Sequence, residues 1–184
     1  MTSPHIWLRA ESKPKEERTA LTPNDARRLL TAGFQVTVER SPLRAFEDEG
    51  YERVGCALAP TGSWLSKAPA EAFILGLKEL PDADFELGHR HIYFAHVFKN
   101  QVGWQRTLKR FAAGGGVLLD LEYLTDSEGR RVSAFGHWAG FVGAGVGAGI
   151  WAHRKLHGDA EAIPALRSWP SQEQCVAELR EQVE

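Results

Sequence analysis

HIWLRAESKPKEERTALTPNDARRLLTAGFQVTVER, residues 5 to 40, holds a strand, a helix and a second strand in succession. HIWLRA (5 to 10) is a short apolar run of strand length. Thr22-Pro23 then opens a helix. Threonine caps the first turn, and proline fits inside it because its missing N–H would have no partner there. Ala26, Leu29 and Leu30 supply the apolar face. Gly33 stops the helix, and FQVTVER (34 to 40) alternates as a strand does. Strand, helix, strand is the unit from which parallel sheets are built.

The alternation continues outward. A short helical piece at 48 to 53 leads to CALAP (56 to 60), a third strand. Residues 60 to 70 carry turn-forming small residues and little periodicity. FILGLKEL (73 to 80) and HIYFAHV (91 to 97) are buried-strand candidates, separated by the acidic loop PDADFELG (81 to 88). Val102, Trp104, Leu108 and Phe111 have helical spacing, and Gly114 to Gly116 end that helix. VLLDLEYL (117 to 124) is the next strand, DSEG (126 to 129) a turn, and RRVSAF (130 to 135) a strand or extended arm. Continuous apolar strands between helices predict an α/β fold, a mostly parallel sheet covered by helices on both faces.

Residues 137 to 156 read as one long glycine-rich helix. A proline-containing stretch (Ile163 to Pro170) follows, and Ser171 with Gln174 forms a capping box for a last helix that has no stop signal. The expected domains are therefore 1–136, an α/β domain, and 137–184, a connecting helix and the start of something further. Residues 132 to 152 contain no Asp, Glu, Lys or Arg, and Gly136/Gly140 and Gly143/Gly147 have the GxxxG spacing of packed membrane helices. The many glycines, His137 and the α/β pattern elsewhere favour a helix packed against other helices over a membrane span. Gly143 to Ala148 also spells GxGxxA, the dinucleotide fingerprint, but inside a helical run and without a preceding strand. Gly114 to Gly116 follows a helix and precedes a strand, the reverse of a phosphate loop.

Twenty-two basic side chains against 24 acidic ones leave a net charge of −2, which argues against a nucleic-acid binder. With 184 residues and 43% hydrophobic content the chain can bury a core unaided and is not disordered. Cys56 and Cys175 form no CxxC and suggest no disulfide framework, so a reducing compartment is expected. No signal peptide is visible at the N-terminus.

Three segments place polar residues at or beside strand ends: Lys78 and Glu79, His96 and Lys99, and Asp120 and Glu122. Ligands of doubly wound sheets bind outside the carboxyl ends of strands. Lysine and histidine there can serve as acid–base groups, tuned by a nearby glutamate. Each also has a plain structural role, since lone histidines in apolar runs are commonly core residues and strand-end lysines are commonly solvated. Arg9, Lys13, Lys15 and Arg18 crowd the loop after the first strand, where they would hold a carboxylate or simply face water. His89 and His91 share a face, but no third metal ligand has a characteristic spacing, so no metal is expected.

Together the runs LRAESKPKEERTALTP, VERSP, PTGSW, ILGLKELP, HIYFAHVFKNQ-GW, LLDLEYL-DSEGRRVSAFG and AGFVGAG resemble the NAD-dependent, lysine-forming saccharopine dehydrogenases of fungal lysine biosynthesis, over their N-terminal half. The resemblance implies a Rossmann-like three-layer domain similar to the N-terminal domains of alanine dehydrogenase and transhydrogenase. It implies an oxidoreductase that oxidises saccharopine with NAD and hydrolyses the imine to L-lysine and 2-oxoglutarate. Lys78 then matches the base for the secondary amine, and His96 the group that activates water. Glu79 and Glu122 match the acids that tune them, and Arg18, Lys99 and Arg131 the cations that hold substrate carboxylates. No residue here matches the NAD fingerprint, which would lie in a C-terminal half beyond this sequence. His137-Trp138 departs from the expected pattern and touches only local packing. The resemblance implies a cytoplasmic enzyme, peroxisomal in some full-length members, with no nucleic-acid or membrane partner. Two other readings compete: a non-enzymatic α/β module binding a dicarboxylate or amino acid in a basic cleft, and a structural remnant that needs a partner chain.

Overall fold

The computed structural model describes residues 3–99, 101–166, 169 and 171–183. Asn100 of the FAHVFKNQ run, and residues 167, 168 and 170 of the proline-containing stretch, lie outside the described residues. The chain divides into two compact units, Met1–Ser133 and Ala134–Glu184.

The first unit is built on a six-stranded sheet of order β3-β2-β1-β4-β5-β6. Its strands are β1 (His5–Leu8), β2 (Gln35–Glu39), β3 (Ala57–Ala59), β4 (Phe73–Leu75), β5 (Arg90–Tyr93) and β6 (Val117–Asp120). Every pairing is parallel, so the sheet is wholly rather than mostly parallel. The order reverses direction beside β1, as in doubly wound Rossmann-like sheets.

Alternation along the strands sorts the core into two layers. Trp7 and Ile74 face one side with Trp64 of α3 (Trp64–Lys67) and Phe111 of α4 (Trp104–Gly114). Leu8, Val36 and Val38 face the other, with Ala26 of α1 (Pro23–Thr31) and Tyr51 of α2 (Asp48–Arg53). α1 begins as its sequence dictates: the Asp25 N–H donates to the Thr22 hydroxyl at 3.2 Å. It ends at Gly33, whose φ of +88° suits glycine and whose N–H reaches the Leu30 carbonyl at 3.0 Å.

Two strands are shorter than their apolar runs. The FILGLKEL strand stops at Leu75, because the Leu77 and Lys78 N–H groups donate to the Glu11 carboxylate (2.7 and 2.9 Å) instead of extending the ladder. The VLLDLEYL strand stops at Asp120, whose carboxylate accepts the Glu122 N–H at 3.0 Å and turns Leu121–Tyr123 into a 3-10 turn. RRVSAF forms no strand beyond a single antiparallel bridge, Thr125 to Arg131.

Gly114 to Gly116 serve packing. A Cβ on Gly114 would lie 2.5 Å from the Leu87 carbonyl carbon, and one on Gly116 would overlap the Leu87 oxygen. The Gly116 N–H donates to that oxygen at 2.9 Å. The backbone of the acidic loop thus crosses the end of α4 at a separation only glycine allows.

The second unit contains α5 (Gly136–His157) and α6 (Gln172–Val183). α6 starts as expected, with the Gln174 N–H on the Ser171 hydroxyl at 3.2 Å. The glycines that meet α6 are Gly145 and Gly149, against Cys175, Leu179 and Gln182. At Gly136, Gly140, Gly143 and Gly147, the GxxxG pairs singled out above, an added Cβ would meet nothing beyond the local helix within 4 Å among the described residues. Only Gly145 and Ala152 of α5 are buried, and Trp138 and Trp151 are more than half exposed. Among the described residues no helix is long and apolar enough to cross a membrane.

Candidate active site

The loop after β1 is clamped onto the end of β4. The Arg9 side chain is 1% exposed, pairs with Glu11 at 3.4 Å and donates to the Lys78 carbonyl oxygen. A Cβ on Gly76 would come within 2.5 Å of the Arg9 guanidinium, so glycine is required for the clamp. This fixes the backbone of Lys78, whose side chain is half-buried and forms no ion pair within 4 Å among the described residues. Its charge is felt by Glu16 and Glu79. Glu16 is held in a two-point fork by Arg18 (2.7 and 2.6 Å), and that fork above all keeps its carboxyl below the usual value. Glu79 meets Lys13 at 3.5 Å. Burial works to raise its carboxyl, and its own backbone N–H with the Lys13 and Lys78 ammoniums outweighs burial and lowers it.

A second cluster gathers after β5 and β6. Glu122 receives Lys99 Nζ at 2.6 Å and Arg131 at 3.0 Å on one carboxylate oxygen. Its other oxygen lies 3.7 Å from His96 Nδ1. The Lys99 hydrogen bond, aided by Arg131 and His96 and opposed by burial, holds the Glu122 carboxyl below its ordinary value. Asp120 joins the two loops by accepting the Ala95 N–H (3.3 Å) as well as the Glu122 N–H (3.0 Å). The bridge from Thr125 to Arg131 returns the chain so that Arg131 reaches Glu122. His96 has φ of +53°, a left-handed conformation that is strained for a residue with a Cβ. Its ring stacks on Phe94 at 6.1 Å, and its Nδ1 is buried without a hydrogen-bond partner among the described residues.

Both clusters stand on the same carboxyl edge of the sheet. Hydrogen bonds between β4 and β5 continue past the strands, from Gly76 N–H to the Ile92 carbonyl (2.9 Å) and from Phe94 N–H to the Leu77 carbonyl (3.2 Å). Lys78 follows the last of these positions by one residue and His96 by two. His96, Lys99 and Arg131 all lie within 4 Å of the Glu122 carboxylate. Arg18 belongs to the other group, with Glu16 and Lys78. Two cations on one carboxylate leave the Glu122 cluster net positive, suited to an organic anion.

Pattern reading singled out Asp120 without its bracing role, and missed two other residues that hold this arrangement, Glu11 and Gly76. It also missed Glu39, which is 0% exposed and accepts from Trp7 Nε1, Ala10 N, Gly62 N and Trp64 N at 2.7 to 3.1 Å. A lone acid in an apolar strand such as QVTVE was the available signal. The GxGxxA run lies in the middle of α5, where intrahelical bonding occupies the N–H groups a phosphate would need. Among the described residues no group of three or more His, Cys, Asp and Glu is placed to hold a metal ion.

Over its whole length the chain is 52% identical to saccharopine dehydrogenase [NAD(+), L-lysine-forming] of Schizosaccharomyces pombe, and it covers 50% of that protein. It is 50% identical over 181 residues to the protein of the same name from Yarrowia lipolytica, covering 49% of it. The chain thus spans about half the length of the curated relatives it matches. Its fold is similar to that of a solved L-alanine dehydrogenase, with TM-score 0.64 and 16% identity over 97% of this chain and 52% of that one. The family model for the alanine dehydrogenase/PNT N-terminal domain matches residues 7–142, which takes in the sheet from Trp7 of β1 onward and both clusters, and the chain belongs to that family.

Proposed function

We propose that the chain is the substrate-binding and acid–base half of an NAD-dependent, L-lysine-forming saccharopine dehydrogenase. The observation that carries this is the net-positive cluster of Glu122, Lys99 and Arg131 beside His96, on the same sheet edge as a half-buried lysine without an ion pair. Saccharopine carries three carboxylates and a secondary amine, so fixed cations must orient it. Lys99 and Arg131 engage one carboxylate, and Arg18 with Glu16 flanks another. As the carbon beside the amine loses its hydride to NAD held by the C-terminal half, the amine nitrogen gives its proton to the Lys78 amine. His96 then takes a proton from water, whose oxygen attacks the imine carbon. His96 returns its proton to the leaving nitrogen as that adduct collapses, which breaks the carbon–nitrogen bond and releases L-lysine and 2-oxoglutarate. Glu122, held as a carboxylate, stabilises the imidazolium formed at His96. The chain's own residues do not fit a dinucleotide, since the GxGxxA glycines are helix interior. NAD binding therefore belongs to the C-terminal half that the longer relatives possess, and 137–184 is read as the connection toward it. Two buried free thiols, Cys56 and Cys175, support a reducing, cytoplasmic setting for lysine biosynthesis.

The test joins the chain to the C-terminal half of the S. pombe relative and follows saccharopine-dependent NADH formation. Lys78→Met and His96→Gln are expected to lower kcat by about 100-fold or more, and Arg131→Gln to raise KM. Unchanged turnover in both Lys78→Met and His96→Gln would refute the assignment.

A further inference from the structure

A pocket of about 400 Å³ opens beside Glu79 and Ala95, the neighbours of Lys78 and His96, and runs along the start of α4, where Trp104 and Thr107 line it. Tyr93 and Arg110 also line it, and both are more than nine-tenths buried, at 2% and 8% exposure. The Tyr93 hydroxyl has no hydrogen-bond partner among the described residues. Burial raises its pKa, so it stays a donor. Arg110 donates from Nε to the Phe85 carbonyl (2.9 Å) and from Nη1 to the Pro81 carbonyl (3.1 Å), and its Nη2 is buried without a partner.

Other guanidiniums buried this deeply have carboxylates: Arg9 meets Glu11 at 3.4 Å, and Arg44 meets Asp48 at 2.5 Å. Arg110 has only carbonyls and the face of Phe85, 4.1 Å away. A buried cation left without an anion is costly unless something supplies one. The acids at the rim are engaged elsewhere, Glu79 with Lys13 and Asp82 with Arg106. α4 adds to the deficit: Gly103 caps it without a side chain, and its first turn has no acid.

We propose that this pocket is a carboxylate subsite, taking a carboxylate-ended arm of the substrate onto the Tyr93 hydroxyl and Arg110 Nη2, with its methylenes against Trp104. The proposal rests on the functional reading above and extends it. Of the cations assigned there to substrate carboxylates, Lys99 and Arg131 share Glu122 and Arg18 is forked to Glu16, whereas Arg110 has no carboxylate of its own. The volume suits an arm of a few carbons.

Glutarate, a dicarboxylate without an amine, is the probe, titrated calorimetrically into the 184-residue chain. Tyr93→Phe removes only the hydroxyl, and its thermal transition checks the fold. Arg110→Lys keeps the charge and removes the fork. Glutarate is expected to bind, and each substitution to weaken it by about tenfold or more, the loss of a hydrogen bond to a charged group. Absence of binding, or an unchanged Kd in Tyr93→Phe, overturns the subsite. If Arg131→Gln abolishes binding while Tyr93→Phe does not, the anion sits on the Glu122 cluster; the subsite is then refuted and the functional reading stands. Loss of saccharopine-dependent NADH formation in the joined enzyme removes the functional reading without touching the glutarate result.

Discussion

His91 shows what burial alone does to a titratable residue. It is 0% exposed, ringed edge-on by Trp64 and Phe111 at 5.2 and 5.3 Å, and both ring nitrogens lack partners among the described residues. Burial, with His89, Arg9 and Arg110 adding, lowers its pKa to about 3. The unfolded chain therefore binds a proton that the folded chain refuses. Stability from this residue is complete above about pH 6.5 and is lost as pH falls from there toward 3. His91→Phe suits the aromatic surroundings and removes the dependence. Between pH 7 and 4.5 the variant is expected to lose about 2 kcal/mol less than the parent in urea denaturation. Equal losses would show that His91 does not titrate in this way. The same residue illustrates a limit of pattern reading. In sequence, histidines 89 and 91 share a strand face without a third metal ligand, and only the surroundings show that His91 is a core residue.

At the scale of elements, glycines that look alike in sequence differ in what surrounds them. Gly114 closes α4 against the Leu87 backbone, where a Cβ would sit 2.5 Å from the nearest atoms. Gly114→Ala is expected to destabilise the first unit by roughly 2–3 kcal/mol, because backbone cannot yield as a side-chain tip can. A Cβ on Gly140 of α5 would meet no atom of another element within 4 Å among the described residues. Gly140→Ala is expected to stabilise by about 0.5–1 kcal/mol, the ordinary helix preference for alanine. Thermal unfolding of the two variants beside the parent checks both signs, and a destabilising Gly140→Ala would mean that face is covered in solution. The strand ends teach the same lesson. Apolar runs announced the cores of β4 and β6, but their ends were set by Glu11 and Asp120, which divert the ladder's N–H groups.

At the scale of the whole molecule, the expected behaviour follows from what the sheet edge holds and what α5 does not. On the proposed reading the 184-residue chain carries the cations and acid–base groups for saccharopine, and its GxGxxA run lies inside α5 rather than in a strand–loop–helix cradle for a pyrophosphate. Supplied with saccharopine and NAD, it is expected to produce no NADH above a blank. Saccharopine-dependent NADH formation by this chain alone would overturn the division of labour proposed here.

Local order was legible because it is encoded locally. Thr22-Pro23 caps a helix, Gly33 ends one, and two-residue alternation marks a strand wherever they occur. Repeated strand–helix alternation then leaves few topologies other than a parallel, doubly covered sheet. The resemblance placed Lys78, His96, Glu79, Glu122, Arg18, Lys99 and Arg131 together by analogy, without their partners. Which donor each of several carboxylates holds is decided between residues far apart in sequence, such as Glu122 with Lys99, Glu39 with the Trp7 indole and Glu79 with Lys13. So is the choice of Gly145 and Gly149, rather than the neighbouring GxxxG pairs, to meet α6. Such contacts depend on how the packed layers orient side chains, and no periodicity or cap along the chain carries that information.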